Sequence, residues 1–207
     1  MSEITLIIPA KNEAESLPRV LDELKNYSYN INVILHPSDE STIKAIKDYK
    51  IKIIYQNNYG YGDALIEGIN NCNSKFFCIF NADGSFNPVE IDLMEKFMIK
   101  DKLDLIFASR YEKNSSSDDD TIITLIGNYI FTLLGKIFFK LTITDILYTF
   151  VLGNTEKTKN LNLKEKDFCF CVELPIKAGR KNLKIASLNS HERKRIAGKK
   201  KVNEIRD

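Results

Sequence analysis

Short apolar runs alternate along this chain with longer stretches whose apolar residues recur every three or four positions, and no other feature restricts the fold as much. Residues 4–8, ended by Pro9, read as a buried strand, as do 31–35, 51–55, 76–80 and 103–108. Between the first two, Leu17, Val20, Leu21 and Leu24 share one helical face behind Asn12, a candidate cap. Residues 41–49, 63–70 and 88–99 supply the other helices. Strand and helix in turn predict an α/β fold, a mostly parallel sheet flanked by helices. In such sheets ligands bind at the carboxyl ends of the strands, so chemistry is expected in the loops there.

The apolar content suffices for one such core. Of 207 residues, 43% are hydrophobic, with 12 Phe and 9 Tyr, which excludes disordered, collagen-like and disulfide-scaffold chains. A net charge of +2 argues against nucleic acid as a partner. The charge is uneven, however. From 180 to 201 the cations Arg180, Lys181, Lys184, Arg193, Lys194, Arg195, Lys199, Lys200 and Lys201 are opposed only by Glu192, a cluster suited to phosphates or an anionic membrane surface. Cys72, Cys78, Cys169 and Cys171 lack C-x-x-C spacing and lie far from His36 and His191, which predicts reduced core thiols rather than a zinc site. The chain enters its first strand without a basic leader, so a cytoplasmic protein is expected.

A Ser-, Asp- and Asn-rich loop at 112–120 precedes an unusual stretch, 121–140. There Thr121, Thr124, Asn128, Thr132 and Lys136 form one narrow polar stripe, and nearly everything else is Ile, Leu, Phe, Tyr or Gly. Two readings stay open: a core helix or hairpin, and a helix lying in a membrane interface beside the basic tail. Asn128 and Lys136 argue against a membrane span.

Three loops at strand ends could carry chemistry. Pro9-Ala10-Lys11-Asn12-Glu13 joins a strand to a helix, where backbone N–H groups suit a nucleotide. Tyr59-Gly60-Tyr61-Gly62-Asp63-Ala64 allows close approach of backbone to phosphate, although it matches neither a dinucleotide fingerprint nor a Walker A loop. In Asn81-Ala82-Asp83-Gly84, an acid ends the most apolar strand, where packing gives no reason for one. Its oxygen donors suit Mg²⁺ or Mn²⁺ shared with a diphosphate; a turn capping the next helix is the plainer reading.

Pro9-Ala10-x-Asn12-Glu13-x-Glu15, Gly60-x-Gly62-x-Ala64-x-x-x-Gly68, Asn81-Ala82-Asp83-Gly84, Ala108-Ser109-Arg110-Tyr111 and the segment from Arg195 to Lys201 occur in an order that resembles the family 2 glycosyltransferases of GT-A type. The dolichyl/polyprenyl-phosphate mannosyltransferase-like branch is the most similar. The resemblance implies a single GT-A domain, with residues 1–111 as the nucleotide-sugar half and 112–207 as the acceptor half. It implies donor contacts from Pro9, Ala10, Asn12, Glu13, Asp39, Gly62, Asn81 and Ala82. Asp83, with Asn81, would hold Mg²⁺ or Mn²⁺; Arg195 and Lys201 would close over the diphosphate. Ser109, Arg110 and Tyr111 would face the acceptor, with Arg110 meeting a lipid phosphate through its planar fork. Several positions depart from the family pattern. Asn81 replaces the first D-x-D aspartate, His36-Pro37-Ser38-Asp39-Glu40-Ser41 replaces an acidic D-D-G-S loop, and Lys11 replaces a tyrosine. Asp120 falls where a second acceptor arginine would be, and Asp145 aligns with a D-T-x-x-G aspartate.

The reaction these residues imply is inverting transfer of a mannose- or glucose-type hexosyl group from a nucleotide-diphosphate sugar. The acceptor would be a polyprenyl phosphate or another glycan acceptor, and Asp83, Arg110 and Asp145 the catalytic set. A lipid phosphate is already ionised, whereas a hydroxyl acceptor needs a base, from Asp145 or the acids of 115–120. The expected location is cytoplasmic, peripheral on the inner face of the membrane. Rival readings are a non-catalytic binder of nucleotide-sugar or lipid phosphate, which Asn81 favours, and a sugar-phosphate nucleotidyltransferase, which the first loop disfavours.

Overall fold

The computed structural model describes residues 3–197. The first half alternates as the periodicity predicts: β1 (Ile4–Pro9), α1 (Leu17–Leu24), β2 (Asn30–Leu35), α2 (Glu40–Ile46), β3 (Lys52–Tyr55), α3 (Tyr61–Asn70), β4 (Phe76–Ile79), α4 (Val89–Asp101) and β5 (Leu105–Ser109). The second half adds β6 (Ser116–Ser117), α5 (Ile122–Phe139), β7 (Val151–Asn154), α6 (Thr155–Lys159), α7 (Phe170–Arg180), β8 (Ile185–Asn189) and β9 (His191–Glu192). Seven strands form one sheet in the order β3-β2-β1-β4-β7-β5-β8, and β6 pairs with β9 beside it.

The central strands are apolar on both faces because helices cover both. Leu6 and Ile8 of β1 point into one core with Leu17, Val20 and Leu21 of α1; Ile7 points into the other with Leu65 of α3 and Leu174 of α7. Strand β7 breaks the parallel pattern, running antiparallel to both β4 and β5. It is four residues long and contains Gly153, too short and too weakly patterned to be read from sequence. Gly153 is required there, since a Cβ would lie 2.5 Å from the Phe77 ring of β4.

Two sequence expectations are corrected. Asn12 does not cap α1: its φ is +54°, and the helix begins five residues past it, at Leu17 after Ser16. Of the cysteines, Cys72 and Cys78 are buried core thiols, but Cys169 is exposed, at the N-terminal end of α7.

Helix α3 lies so close to the sheet that a Cβ on Gly68 would sit 2.4 Å from Ile7 Cγ2. Gly68→Ala is therefore expected to cost roughly 1–3 kcal/mol through overpacking. A lowered urea midpoint at unchanged slope checks this; an unchanged midpoint contradicts it.

Candidate functional site

The parallel sheet brings the ends of β1, β2, β4 and β5 to one edge. There Ala10 N–H donates to Ile34 O at 2.8 Å and ties the first loop to β2. Chain order reverses between β1 and β4, which opens the crevice where ligands of such sheets lie.

Asp83 sits in that crevice, half-buried at the end of the β4 strand and its following turn. Its Oδ1 accepts from Ser85 N–H at 3.0 Å, while Asn81 Nδ2 donates to Ser85 Oγ at 3.2 Å. Both side chains therefore keep one oxygen, Asp83 Oδ2 and Asn81 Oδ1, for another partner. Residues 190–197 cross directly over this turn. Arg193 N–H donates to Ser85 O at 2.9 Å and Ile196 N–H to Asp83 O at 2.8 Å. The Arg193 guanidinium forks onto Glu23 of α1 at 2.8 and 3.0 Å and pegs the segment down.

That crossing places Arg195 in front of Asp83, with Nη1 3.8 Å from Asp83 Oδ2 and Nη2 2.6 Å from Asp119 Oδ2. Burial works against the guanidinium's charge, but Asp119 and Asp83 outweigh it and hold its pKa above the usual value. A positive charge thus already stands at Asp83 Oδ2. Two hard oxygens beside a stabilised cation position fit Mg²⁺ or Mn²⁺, with the remaining ligands coming from diphosphate and water. Lys201 lies outside the described residues.

The other donor candidates divide. Pro9 and Ala10 end β1 at the crevice, Ala82 is buried within the Asp83 turn, and Glu13 is buried with its N–H on Thr42 Oγ1 at 2.9 Å. Asp39 is corrected: its carboxylate is spent inside the protein, accepting from Asn12 N–H at 2.7 Å, Ser41 Oγ at 3.1 Å and Thr42 N–H at 3.3 Å. It caps α2 and staples the first two loops, which also gives Asn12 its backbone bend. Burial opposes its charge, yet these hydrogen bonds prevail and hold its pKa below the ordinary carboxylate value. Gly62 is likewise corrected. The space beside its Cα is filled by the carbonyls of Glu165, 2.2 Å from an added Cβ, and Asp167, 2.7 Å away, so the glycine admits a neighbouring loop.

At the end of β5, Arg110 and Asp145 form one buried unit. Asp145 is fully buried and receives Arg110 Nε at 2.8 Å, Nη2 at 3.1 Å and backbone N–H at 3.1 Å. Arg110 Nη1 reaches Glu192 at 3.3 Å and lies 3.8 Å from Asp120, and the guanidinium stacks over Tyr148. Burial opposes its charge, but Asp145 more than compensates and raises its pKa. Asp145 is thus a counter-ion, not an open base, and Arg110 is a positioning residue rather than a bare phosphate fork. Ser109 is corrected too: it is fully buried, its hydroxyl accepting from Tyr111 N–H and from Thr144 Oγ1 at 2.8 Å. Tyr111 remains half-exposed, bonded to Asp120. Sequence reasoning missed Asp119, Glu192 and Glu23 as partners of the arginines, because no local spacing reveals pairings across 76 to 170 residues.

Helix α5 is inverted. Asn128, Thr132 and Gly135 are its buried residues, whereas Ile122, Ile126, Tyr129, Ile130, Leu133, Ile137 and Phe138 are all exposed. Asn128 Oδ1 accepts from Leu147 N–H at 3.0 Å and Thr132 Oγ1 from Ile146 N–H at 3.3 Å, the two residues after Asp145. The helix is long and apolar enough to cross a membrane, yet its polar stripe is fastened to the residues that follow Asp145.

A family model, Glycosyl transferase family 2, matches residues 5–161. The chain belongs to glycosyl transferase family 2. Its similarity to solved structures shows the GT-A fold: glucosyl-3-phosphoglycerate synthase of Mycobacterium tuberculosis, solved with Mn²⁺, UDP and glucosyl-3-phosphoglycerate, superposes with a TM-score of 0.76 over 95% of this chain and 72% of that one, at 14% identity. Among sequence relatives, a UDP-N-acetylglucosamine–dolichyl-phosphate N-acetylglucosaminyltransferase of Methanococcus voltae is 27% identical over 64% of this chain and 63% of its own. A dolichyl-phosphate beta-glucosyltransferase of Trichomonas vaginalis is 25% identical over 90% of this chain and 64% of its own. The family 2 chain therefore spans a little under two thirds of the length of these relatives.

Two substitutions probe the site's framework. Asp145→Asn leaves a buried guanidinium short of its main counter-charge and should destabilise the fold by about 3–5 kcal/mol in urea unfolding; a loss below about 1 kcal/mol would contradict the pairing. Asp39→Asn leaves one acceptor oxygen where the carboxylate uses two, and should cost about 1 kcal/mol at neutral pH. Because the folded pKa lies below the unfolded value of about 3.9, Asp39's contribution is complete above that value and fades as pH falls through the folded one. The wild-type and variant stabilities should therefore converge in acid.

Proposed function

We propose that this family 2 protein transfers a mannose- or glucose-type hexosyl group from a nucleotide-diphosphate sugar to a polyprenyl or dolichyl phosphate, with Mg²⁺ or Mn²⁺, while lying on a membrane surface. The observation that carries this reading is α5: an outward face of Ile, Leu, Phe and Tyr, fastened by its polar stripe to the residues that follow Asp145. A lipid acceptor would have its phosphate at the headgroup level, so an apolar helix rooted beside the acceptor side brings phosphate and donor crevice together. The activities of the Methanococcus and Trichomonas relatives, both transfers to dolichyl phosphate, support the same acceptor class.

In this reading residues 1–111 hold the donor and 112–197 shape the acceptor side. Pro9, Ala10 and Glu13 flank the nucleoside, and Asp83 Oδ2 with Asn81 Oδ1 faces the diphosphate. A divalent cation held there would supply positive charge to the leaving diphosphate. Arg195, already within reach of Asp83, pairs with the same oxygens. A phosphate oxygen of the acceptor attacks the anomeric carbon from the opposite face, the bond to the donor's phosphate oxygen breaks, and the nucleoside diphosphate leaves with the electron pair. No proton need be removed, which agrees with an Asp145 committed to Arg110 and with loop acids 118, 119 and 120 engaged by His191, Arg195 and Tyr111. Arg110 acts by holding Asp145 and Glu192 in place.

Transfer of labelled sugar from UDP-glucose or GDP-mannose tests this, with polyprenyl phosphate in vesicles or free 3-phosphoglycerate as acceptor. Label is expected in the organic phase, dependent on Mn²⁺ or Mg²⁺. Asp83→Asn should lower turnover about 100-fold or more with an unchanged melting temperature. Label reaching only 3-phosphoglycerate, or full activity in Asp83→Asn, would refute the proposal.

A further inference from the structure

Arg195 is held between two acids, and only one of them belongs to the cation position. Its Nη1 lies 3.8 Å from Asp83 Oδ2, whereas Nε at 3.2 Å and Nη2 at 2.6 Å both donate to Asp119 Oδ2. One guanidinium touches both carboxylates, so Asp119 stands a guanidinium's width from Asp83. The three side chains are only 20%, 17% and 18% exposed for Arg195, Asp83 and Asp119, which weakens the screening of their charges.

The segment that carries Arg195 does not need Asp119 to hold it. Arg193 N–H on Ser85 O at 2.9 Å, Ile196 N–H on Asp83 O at 2.8 Å and the Arg193 fork on Glu23 fix it from below. Glu90 fixes its start, accepting from Ser190 Oγ at 2.6 Å and His191 N–H at 3.0 Å. Asp119 is likewise placed by contacts that do not involve its charge. Its N–H donates to Ser117 Oγ at 3.2 Å, and the N–H of Asp118 donates to Glu192 O at 2.8 Å beside the β6–β9 pair. The loop thus presents a carboxylate to a guanidinium already in position. What that carboxylate adds is charge. Among the described residues at this place two carboxylates face one guanidinium, and the balance is negative.

We infer that Asp119 makes the donor site selective for a metal-bound diphosphate over the free one, an inference that rests on the proposed roles of Asp83 and Arg195 at the donor diphosphate. A nucleoside diphosphate carries about three negative charges near neutral pH, and about one once a divalent cation is bound to it. Coulomb repulsion scales with that charge, so Asp119 opposes the free diphosphate about three times as strongly as its metal complex. Asp119 also occupies the Nε–Nη2 edge of Arg195, which leaves Nη1 as the edge turned to Asp83. A divalent cation brought to Asp83 reverses the sign of the place, and the guanidinium then adds to it. The 112–120 loop in this way decides in which form a diphosphate is accepted.

The test is calorimetric titration of the full chain with UDP, in Mn²⁺ and separately in EDTA. Asp119→Asn keeps an oxygen for the Arg195 edge and removes the charge. It should tighten UDP binding about tenfold in EDTA but only about twofold in Mn²⁺, while Asp119→Glu keeps the wild-type ratio. Ser117→Ala removes the bond to Asp119 N–H and loosens the loop without touching the charge, so it should gain nothing in EDTA. An Asp119→Asn chain that binds no more tightly in EDTA, or gains equally in both media, would overturn the inference and leave the donor reading standing. An equal gain in Ser117→Ala would do the same, since loosening would then explain it. A wild type that binds UDP in neither medium would overturn both.

Discussion

The ion pair between Arg110 and Asp145 is the interaction on which the second half of the chain depends. One guanidinium at the end of β5 binds the fully buried Asp145 through its Nε, an Nη and its backbone N–H, and reaches Glu192 of β9 as well. Such a pair gives little net stability against an apolar replacement, but losing either partner strands a charge. Its value here is positional. The next two residues after Asp145 offer their N–H groups to Asn128 and Thr132, so the pair fixes the seat of α5; through Glu192 it fixes the segment that carries Arg195 over Asp83.

The inverted helix follows from that seat. A helix with one polar stripe buries whichever face is better satisfied. In α5 the stripe finds two backbone donors, and Gly135 lets Leu141 and Ile146 approach to 3.1 and 3.3 Å of an added Cβ. The apolar majority is then left facing outward, a patch far larger than scattered surface residues explain. At its end Arg180 stacks over Phe139, and the cations of the α7–β8 turn follow, charge of the sign an anionic bilayer attracts.

Much of this was legible in the sequence because it depended on local periodicity. The β1 run and the Leu17, Val20, Leu21, Leu24 face emerged as read, and Asp83 was singled out because an acid ending a buried strand has no packing role. The polar stripe of α5 was legible too, though not the direction it faces, since that is decided by Ile146 and Leu147 far along the chain. What stayed hidden was long-range. The antiparallel β7 is too short to carry a pattern, Asp39 and Asp145 look like open acids until their partners are seen, and the glycine at 62 looks like a phosphate turn until residues 165–167 fill the space beside it.

The central claim is that α5 rests in a bilayer beside the acceptor site, and the chain's lack of tryptophan allows a direct measurement. Tyr129, 67% exposed on the outward face, can be changed to Trp as a sole reporter. With vesicles containing phosphatidylglycerol, its emission should shift to the blue and be quenched by lipids brominated on their acyl chains. Emission that stays at its aqueous wavelength and is untouched by brominated lipid, at vesicle concentrations well above those of the protein, would contradict the account.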